Sequence, residues 1–210
     1  MHVNTDDYTG SINDGGGSMK RKIKISYNAP VVLSFVLTCL VVTLLGIATK
    51  GWITEKLFMT YHSSLLHPLT YLRFFTHVLG HDGWSHFLGN ASYLLLLGPM
   101  LEEKYGSKSI FQVVIVTAFV TGVINYIFFG NIALCGASGI VFAFIVLASF
   151  TNFSEGEIPL SFILVVGIFI GQQIYEGMMV QDSISNMAHI VGGMIGALLG
   201  YKFNKKTRFF

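Results

Sequence analysis

Leu134-Cys135-Gly136-Ala137-Ser138-Gly139-Ile140-Val141-Phe142 opens an apolar run in which nothing charged appears before Glu155. A serine stands at the start of that run with glycines on either side. Gly-x-Ser-Gly alone is ordinary helix-packing chemistry. It gains weight from His189, a lone histidine in a later apolar run. The two residues together suggest a hydroxyl and an imidazole that meet inside a lipid bilayer and cut peptide bonds there.

Composition sets the class. Of 210 residues, 52% are hydrophobic and 11% are charged, where a soluble domain carries about 25% charged residues. The charges cluster between long apolar runs, so the chain reads as a single polytopic membrane domain. The net charge of +2 says little about partners, because the charges are sorted by membrane side. Nothing marks a nucleic-acid binder. Cys39 and Cys135 lie in or beside apolar segments and read as small buried apolar residues rather than a disulfide framework.

Residues 1–18 are rich in Gly, Asp, Asn and Ser, a composition that cannot build a core. Met19 opens the basic run Lys20-Arg21-Lys22-Ile23-Lys24 and looks like a natural start, so 1–18 is either a cloning remnant or a native tail. The expected organisation is a flexible basic tail over 1–28, a membrane domain over 29–203 and a basic tail over 204–210. Within the domain six apolar runs fall at 29–49, 84–101, 109–129, 138–152, 159–179 and 184–203. Each is near the roughly 20 residues that a helix needs to cross a bilayer. The runs lack strand alternation, and open sheets leave unpaired backbone groups in lipid, so helices are expected. Pro30 suits the opening turn of the first.

Basic residues give the topology. Lys20, Arg21, Lys22, Lys24, Lys104, Lys108, Lys202, Lys205, Lys206 and Arg208 fall on one side, and Lys50, Lys56 and Arg73 on the other. The positive-inside rule then puts both termini in the cytoplasm. The first outer loop, roughly 50–83, is long but not polar. Leu57-Phe58-Met59, Leu65-Leu66, Leu69, Tyr71-Leu72 and Phe74-Phe75 give it a surplus of large apolar side chains that suits a segment lying in the membrane interface, bracketed by Trp52 and Trp84, with a folded outer cap as the alternative.

The fourth run is short. From Ser138 to Thr151 it covers roughly 20 Å as a helix, against about 30 Å of hydrocarbon. Its start must lie below the outer surface, with the preceding chain dipping into the protein. Such backbone is allowed only where protein or water surrounds it, which argues for a wet cavity with Ser138 at its floor. A helix start also offers free N–H groups and the positive dipole end to an oxyanion. The alternative for Ser138 is a cap or a small packing residue. Gly192, Gly196 and Gly200 give the last run a face that another helix can approach closely. If that face meets the fourth helix, His189 can serve Ser138 as general base and then general acid. No Asp or Glu lies within an apolar run to orient the ring, so a dyad is expected, with Phe142 one turn from Ser138 placed to hold the imidazole.

His86 and Asn90 share a helix face and can both donate to an oxyanion, or can simply join helices. His77, His81 and His86 also allow a zinc reading, but no carboxylate is well placed and no metal or cofactor is expected. Asn90-Ala91-Ser92 and Asn152-Phe153-Ser154 do not read as glycosylation sites.

Taken in order, several motifs resemble the rhomboid intramembrane serine proteases of the basic six-helix bacterial type. They are Arg73-Phe74-Phe75-Thr76-His77, His81, His86-Phe87-Leu88-Gly89-Asn90, Glu102-Glu103-Lys104-Tyr105-Gly106, Gly136-Ala137-Ser138-Gly139 and Ala188-His189 with Gly192. The resemblance covers roughly 29–203. It implies an all-α membrane protein, a six-helix bundle with a membrane-embedded first loop and a short fourth helix starting at the nucleophile. It implies Ser138 as nucleophile, His189 as base, and His86, Asn90 and the Ser138 backbone N–H as the oxyanion hole. His81, Arg73, Glu102 and Gly106 would be structural. The substrates implied are single-span membrane proteins, cut near the outer face of a bacterial cytoplasmic membrane. Leu72 departs from the family's Trp-Arg pair, and Phe142 stands where a tyrosine is often found. A catalytically silent relative that binds transmembrane helices, or a transporter, is the alternative.

Overall fold

The computed structural model describes residues 26–129, 131–151, 160, 161, 163–168, 171 and 183–207. The expectations for residues 1–25 and 208–210, for Asn152-Phe153-Ser154 and for most of the run at 159–179 lie outside these residues. Regular structure among the described residues is helical. The elements are α1 Pro30–Ala48, α2 Trp52–Leu57, α3 Pro68–Thr76, a 3-10 turn His77–Leu79, α4 Trp84–Tyr105, α5 Ser107–Phe128, α6 Ser138–Ser149 and α7 Ser183–Thr207. α1 and α5 are long and apolar enough to cross a membrane. α4 and α7 outrun their apolar stretches by about a turn, because polar side chains continue a helix where they can reach water or neighbouring termini.

One end of the bundle is fixed by polar contacts. Pro30 opens α1 without an N–H to satisfy. The next two N–H groups, of Val31 and Val32, donate to the two carboxylate oxygens of Glu102 in the last turn of α4, at 3.0 Å each. Ser107 Oγ, at the start of α5, donates to the same carboxylate at 2.7 Å. Glu102 is buried, and an anion at a helix N-terminus is favoured by both the free N–H groups and the dipole. At the same end the C-terminus of α6 is held from two sides. Lys104 donates to the carbonyl of Thr151, and Asn204 of α7 donates to the carbonyl of Phe150 at 2.7 Å.

α6 is the innermost helix. Ile140, Ala143 and Leu147 are fully buried and Phe144 nearly so. It has 12 residues against 22 in α4 and α5. The last turn of α4 reaches the chain just past the end of α6, where Lys104 meets Thr151, so the shorter α6 begins inside the opposite end of the bundle. α7 lies on α6 backbone to backbone. A Cβ on Gly192 would overlap the carbonyl oxygen of Gly139, and one on Gly196 would overlap that of Ala143. Glycine is required at these two positions because helices pressed this close leave no volume for a side chain.

The loop between α1 and α4 holds the chain that leads into Ser138. Thr60 pairs with Leu134 in an antiparallel bridge, Thr60 N–H to Leu134 O at 3.0 Å and Leu134 N–H to Thr60 O at 2.9 Å. The Asn125 amide of α5 donates to Thr60 O at 3.1 Å and to Ile132 O at 3.2 Å. Arg73 is buried, donates from Nε to Lys56 O at 2.8 Å, and lies over the Tyr61 ring at 4.6 Å. Leu65, Leu66, Tyr71 and Leu72 are exposed, whereas Phe74 is buried and Leu57, Phe58, Met59 and Leu69 are half-buried, so the loop's apolar surplus divides between the protein and its surroundings.

His77 is buried, with Nδ1 3.1 Å from Arg73 O and Nε2 3.2 Å from Thr121 Oγ1. Burial pushes its pKa down to about 4. His81 is likewise pushed down to about 4, by burial and then by the neighbouring His86 ring. Both are neutral in the folded protein, whereas in the unfolded chain they titrate near 6.5.

Two predictions follow from this packing. Gly196→Val should destabilise the protein by about 1–3 kcal/mol, the usual range for overpacking. Met194→Leu, on the exposed face of α7, should not. Thermal unfolding in detergent reads the difference, and equal melting of the two variants would refute the backbone contact. The second concerns pH. The unfolded chain binds protons that the folded chain excludes, so stability is full above about 6.5 and is lost as pH falls toward 4. The loss should amount to roughly 3 kcal/mol for His77 alone, and a stability flat between pH 7 and 4 would contradict its neutral burial.

Candidate active site

Ser138 is the first residue of α6, with Ala137 as the N-cap residue. No side chain caps this end. Ile140 and Val141 donate their N–H groups to Ala137 O at 2.9 and 3.0 Å. The first N–H groups of α6 therefore point toward the turn that precedes it, and Ser138 itself is half-buried.

That turn is shaped by Gly136, whose φ of 120° lies in the region that L side chains avoid. Its N–H donates to the carbonyl of His77 at 2.9 Å, which ties the outer loop to the approach to Ser138. There is a second reason for glycine. A Cβ at this position would lie 2.6 Å from both Nε2 and Cε1 of His86 and 3.7 Å from Nδ2 of Asn90. The two polar side chains of α4 thus stand directly over the turn leading into Ser138.

Their donors are poised. The backbone N–H of Asp82 donates to His86 Nδ1 at 3.4 Å. A neutral imidazole that accepts at Nδ1 carries its proton on Nε2, the atom beside Gly136. His81 packs edge-on against His86 with ring centroids 5.1 Å apart. Its own Nδ1 is 3.2 Å from Leu79 O. Asn90 is 7% exposed, and its Nδ2 finds no hydrogen-bond partner among the described residues. A buried amide donor left open beside a turn is a strong demand for an acceptor.

The histidine on α7 arrives from the other side. His189 is buried, and its ring lies against Phe142 with centroids 4.2 Å apart and planes 38° apart. Phe142 is one turn from Ser138 on α6, so the two share a face. The carbonyl of Ala188 sits against Gly139, 3.2 Å from where a Cβ would be. The α6–α7 crossing therefore brings His189 to the Ser138 end of α6. Cys135, half-buried in the same turn, is no rival nucleophile. Burial and the Asp82 carboxylate push its thiol up to about 11, leaving it protonated at neutral pH.

The three histidines of the zinc reading do not converge. His77 faces Arg73 O and Thr121 on α5, while His81 and His86 face each other and Phe87. Among the described residues no group of three or more His, Cys, Asp or Glu is placed to hold a metal ion. Two contributors escaped the sequence reading. Asn125 joins the outer loop to the turn before Ser138, and a fully buried carboxamide in an apolar run was the available signal. The Asp82 N–H that fixes the His86 tautomer carries no sequence signal, since any residue supplies it.

The chain is similar to known proteins. The Rhomboid domain family matches residues 68–206. Rhomboid protease GlpG of Haemophilus influenzae is 29% identical over 135 residues, covering 61% of this chain and 68% of its own length. Rhomboid-related protein 2 of Mus musculus is 30% identical over 172 residues, covering 71% of this chain and 57% of its own. Rhomboid-related protein 1 of Caenorhabditis elegans is 30% identical over 139 residues, covering 61% of this chain and 39% of its own. The last two relatives are thus matched over little more than half of their length or less. The all-helical fold and a family match across about two thirds of the sequence lead to one conclusion: this chain belongs to the rhomboid family of integral membrane proteins.

Proposed function

We propose that the chain is an intramembrane serine endopeptidase that cleaves transmembrane segments of single-span proteins with a Ser138–His189 dyad. The observation that carries this reading is the open amide donor of Asn90, buried beside His86 Nε2 above the Gly136 turn. Two donors beside one turn at a helix N-terminus suit a developing oxyanion.

In the reaction, His189 takes the proton of Ser138 Oγ as the oxygen attacks the scissile carbonyl carbon. The carbonyl oxygen becomes an oxyanion, held by Asn90 Nδ2, His86 Nε2 and the Ser138 backbone N–H. The C–N bond then breaks, and His189 gives its proton to the leaving amine. Water, deprotonated by the same ring, releases the acyl group from Ser138. The Phe142 ring packs against the imidazole and restrains it.

The reading extends to the setting. The bundle has six spans over 29–203, with the fifth at 159–179, and needs no cofactor. Both termini lie in the cytoplasm, on the side of Lys104, Lys108 and Lys202, and the site opens to the outer side of the membrane. The loop carrying α2 and α3 lies in the interface, where exposed Leu66 and Leu72 meet lipid.

A fluorophosphonate probe should label the protein at Ser138. Ser138→Ala and His189→Ala should each abolish cleavage of a transmembrane substrate while melting like the wild type. A properly folded protein that neither labels nor cleaves would instead be a silent helix-binding member of the family. Asn90→Ala should lower turnover by about 10²–10³ with substrate affinity little changed. An undiminished rate would return Asn90 to a purely packing role.

A further inference from the structure

A groove of about 540 Å³ runs between α1 and α5, away from Ser138. Its walls are Val31 and Phe35 on α1 and Phe111 and Ile115 on α5, and Phe75 and Val78 close its far end. The volume falls within the range of small-molecule sites, roughly 300–1,000 Å³.

The groove holds no polar group in need of a partner. Ser34 Oγ is bonded to Tyr27 OH at 2.8 Å. Thr38 Oγ1 donates to Ser34 O at 2.7 Å, and Thr76 Oγ1 is bonded to the carbonyl of Leu57. A buried water needs two to four polar partners, and these hydroxyls are already engaged. The groove therefore takes an apolar occupant.

Its depth says which one. From Pro30 to Thr38 along α1 is about 12 Å, close to the roughly 15 Å of one hydrocarbon leaflet. There the roof of Phe75 and Val78 stops it. A membrane-spanning helix has to pass that roof, whereas an acyl chain ends at the same depth. At the open end Lys108 is exposed and lies one turn before Phe111 on the same face of α5. A lysine there can reach the phosphate of such a lipid.

We propose that this groove is a specific phospholipid site, with one acyl chain between α1 and α5 and an anionic headgroup at Lys108. The chain backs onto Val78, next to the His77 carbonyl that holds the Gly136 turn. The site is independent of whether Ser138 cuts peptides.

Native mass spectrometry in mild detergent tests it, with dipalmitoyl phosphatidylglycerol or dipalmitoylglycerol as the added lipid. The wild type should retain one phosphatidylglycerol. Ile115→Trp fills the groove from its lipid-facing side and should weaken retention by about tenfold, the worth of roughly two buried methylenes. Leu44→Trp, exposed on α1 outside the groove, should retain lipid as the wild type does. Lys108→Glu should weaken phosphatidylglycerol about fivefold and leave the phosphate-free diacylglycerol unchanged. The proposal fails if the wild type retains no lipid, if Ile115→Trp and Leu44→Trp behave alike, or if Lys108→Glu is without effect on phosphatidylglycerol.

Discussion

The backbone contact between α6 and α7 is the constraint from which the rest follows. Apolar side chains gain little by meeting each other rather than lipid, so helices in a bilayer associate mainly by close packing. Gly192 and Gly196 let α7 rest on the carbonyls of Gly139 and Ala143, with no side chain between. That closeness fixes the rotation of both helices. It turns His189 toward Phe142, and it helps bury most of α6, leaving Ser138, Phe142, Ile145 and Ser149 as a half-buried stripe. A helix so buried can be short, because its ends meet protein instead of hydrocarbon.

Shortness creates the second problem, which the outer loop solves. Non-helical chain before Ser138 lies at a depth where unpaired amides are costly. The bridge between Thr60 and Leu134, the bond from Gly136 to His77 and the two bonds from Asn125 satisfy that backbone one group at a time. The loop is therefore not a cover laid over a finished bundle. It supplies the hydrogen bonds that allow α6 to begin where it does. The amide donor of Asn90, like Nε2 of neighbouring His81, is left without a hydrogen-bond partner among the described residues.

Much of this was legible in the sequence because it depends on local pattern. Long apolar runs located α1, α4, α5, α6 and α7 to within a few residues. A four-residue spacing put His86 beside Asn90 and Phe142 on the face of Ser138, and the glycine repeat marked the side of α7 that meets α6. What stayed hidden depends on contacts between distant segments. Nothing near Glu102 says that its carboxylate caps a helix starting at Pro30. Nothing near Thr60 says that it pairs with Leu134. Backbone groups do this work, and backbone groups are the same in every residue. The groove between α1 and α5 was equally invisible, because a gap is a property of two helices and not of either one.

Glu102 has a consequence for how the protein is made. The N–H groups it caps belong to Val31 and Val32, and 71 residues separate the carboxylate from the first of them. A ribosome adds roughly 5–20 residues per second, so α1 waits several seconds for the acid that closes its end. During that interval its first turn stays at the aqueous boundary, where water can serve the same amides. The opening helix is thus held in register by a later one, and the two are inserted as a pair whose alignment is settled only when the second is complete.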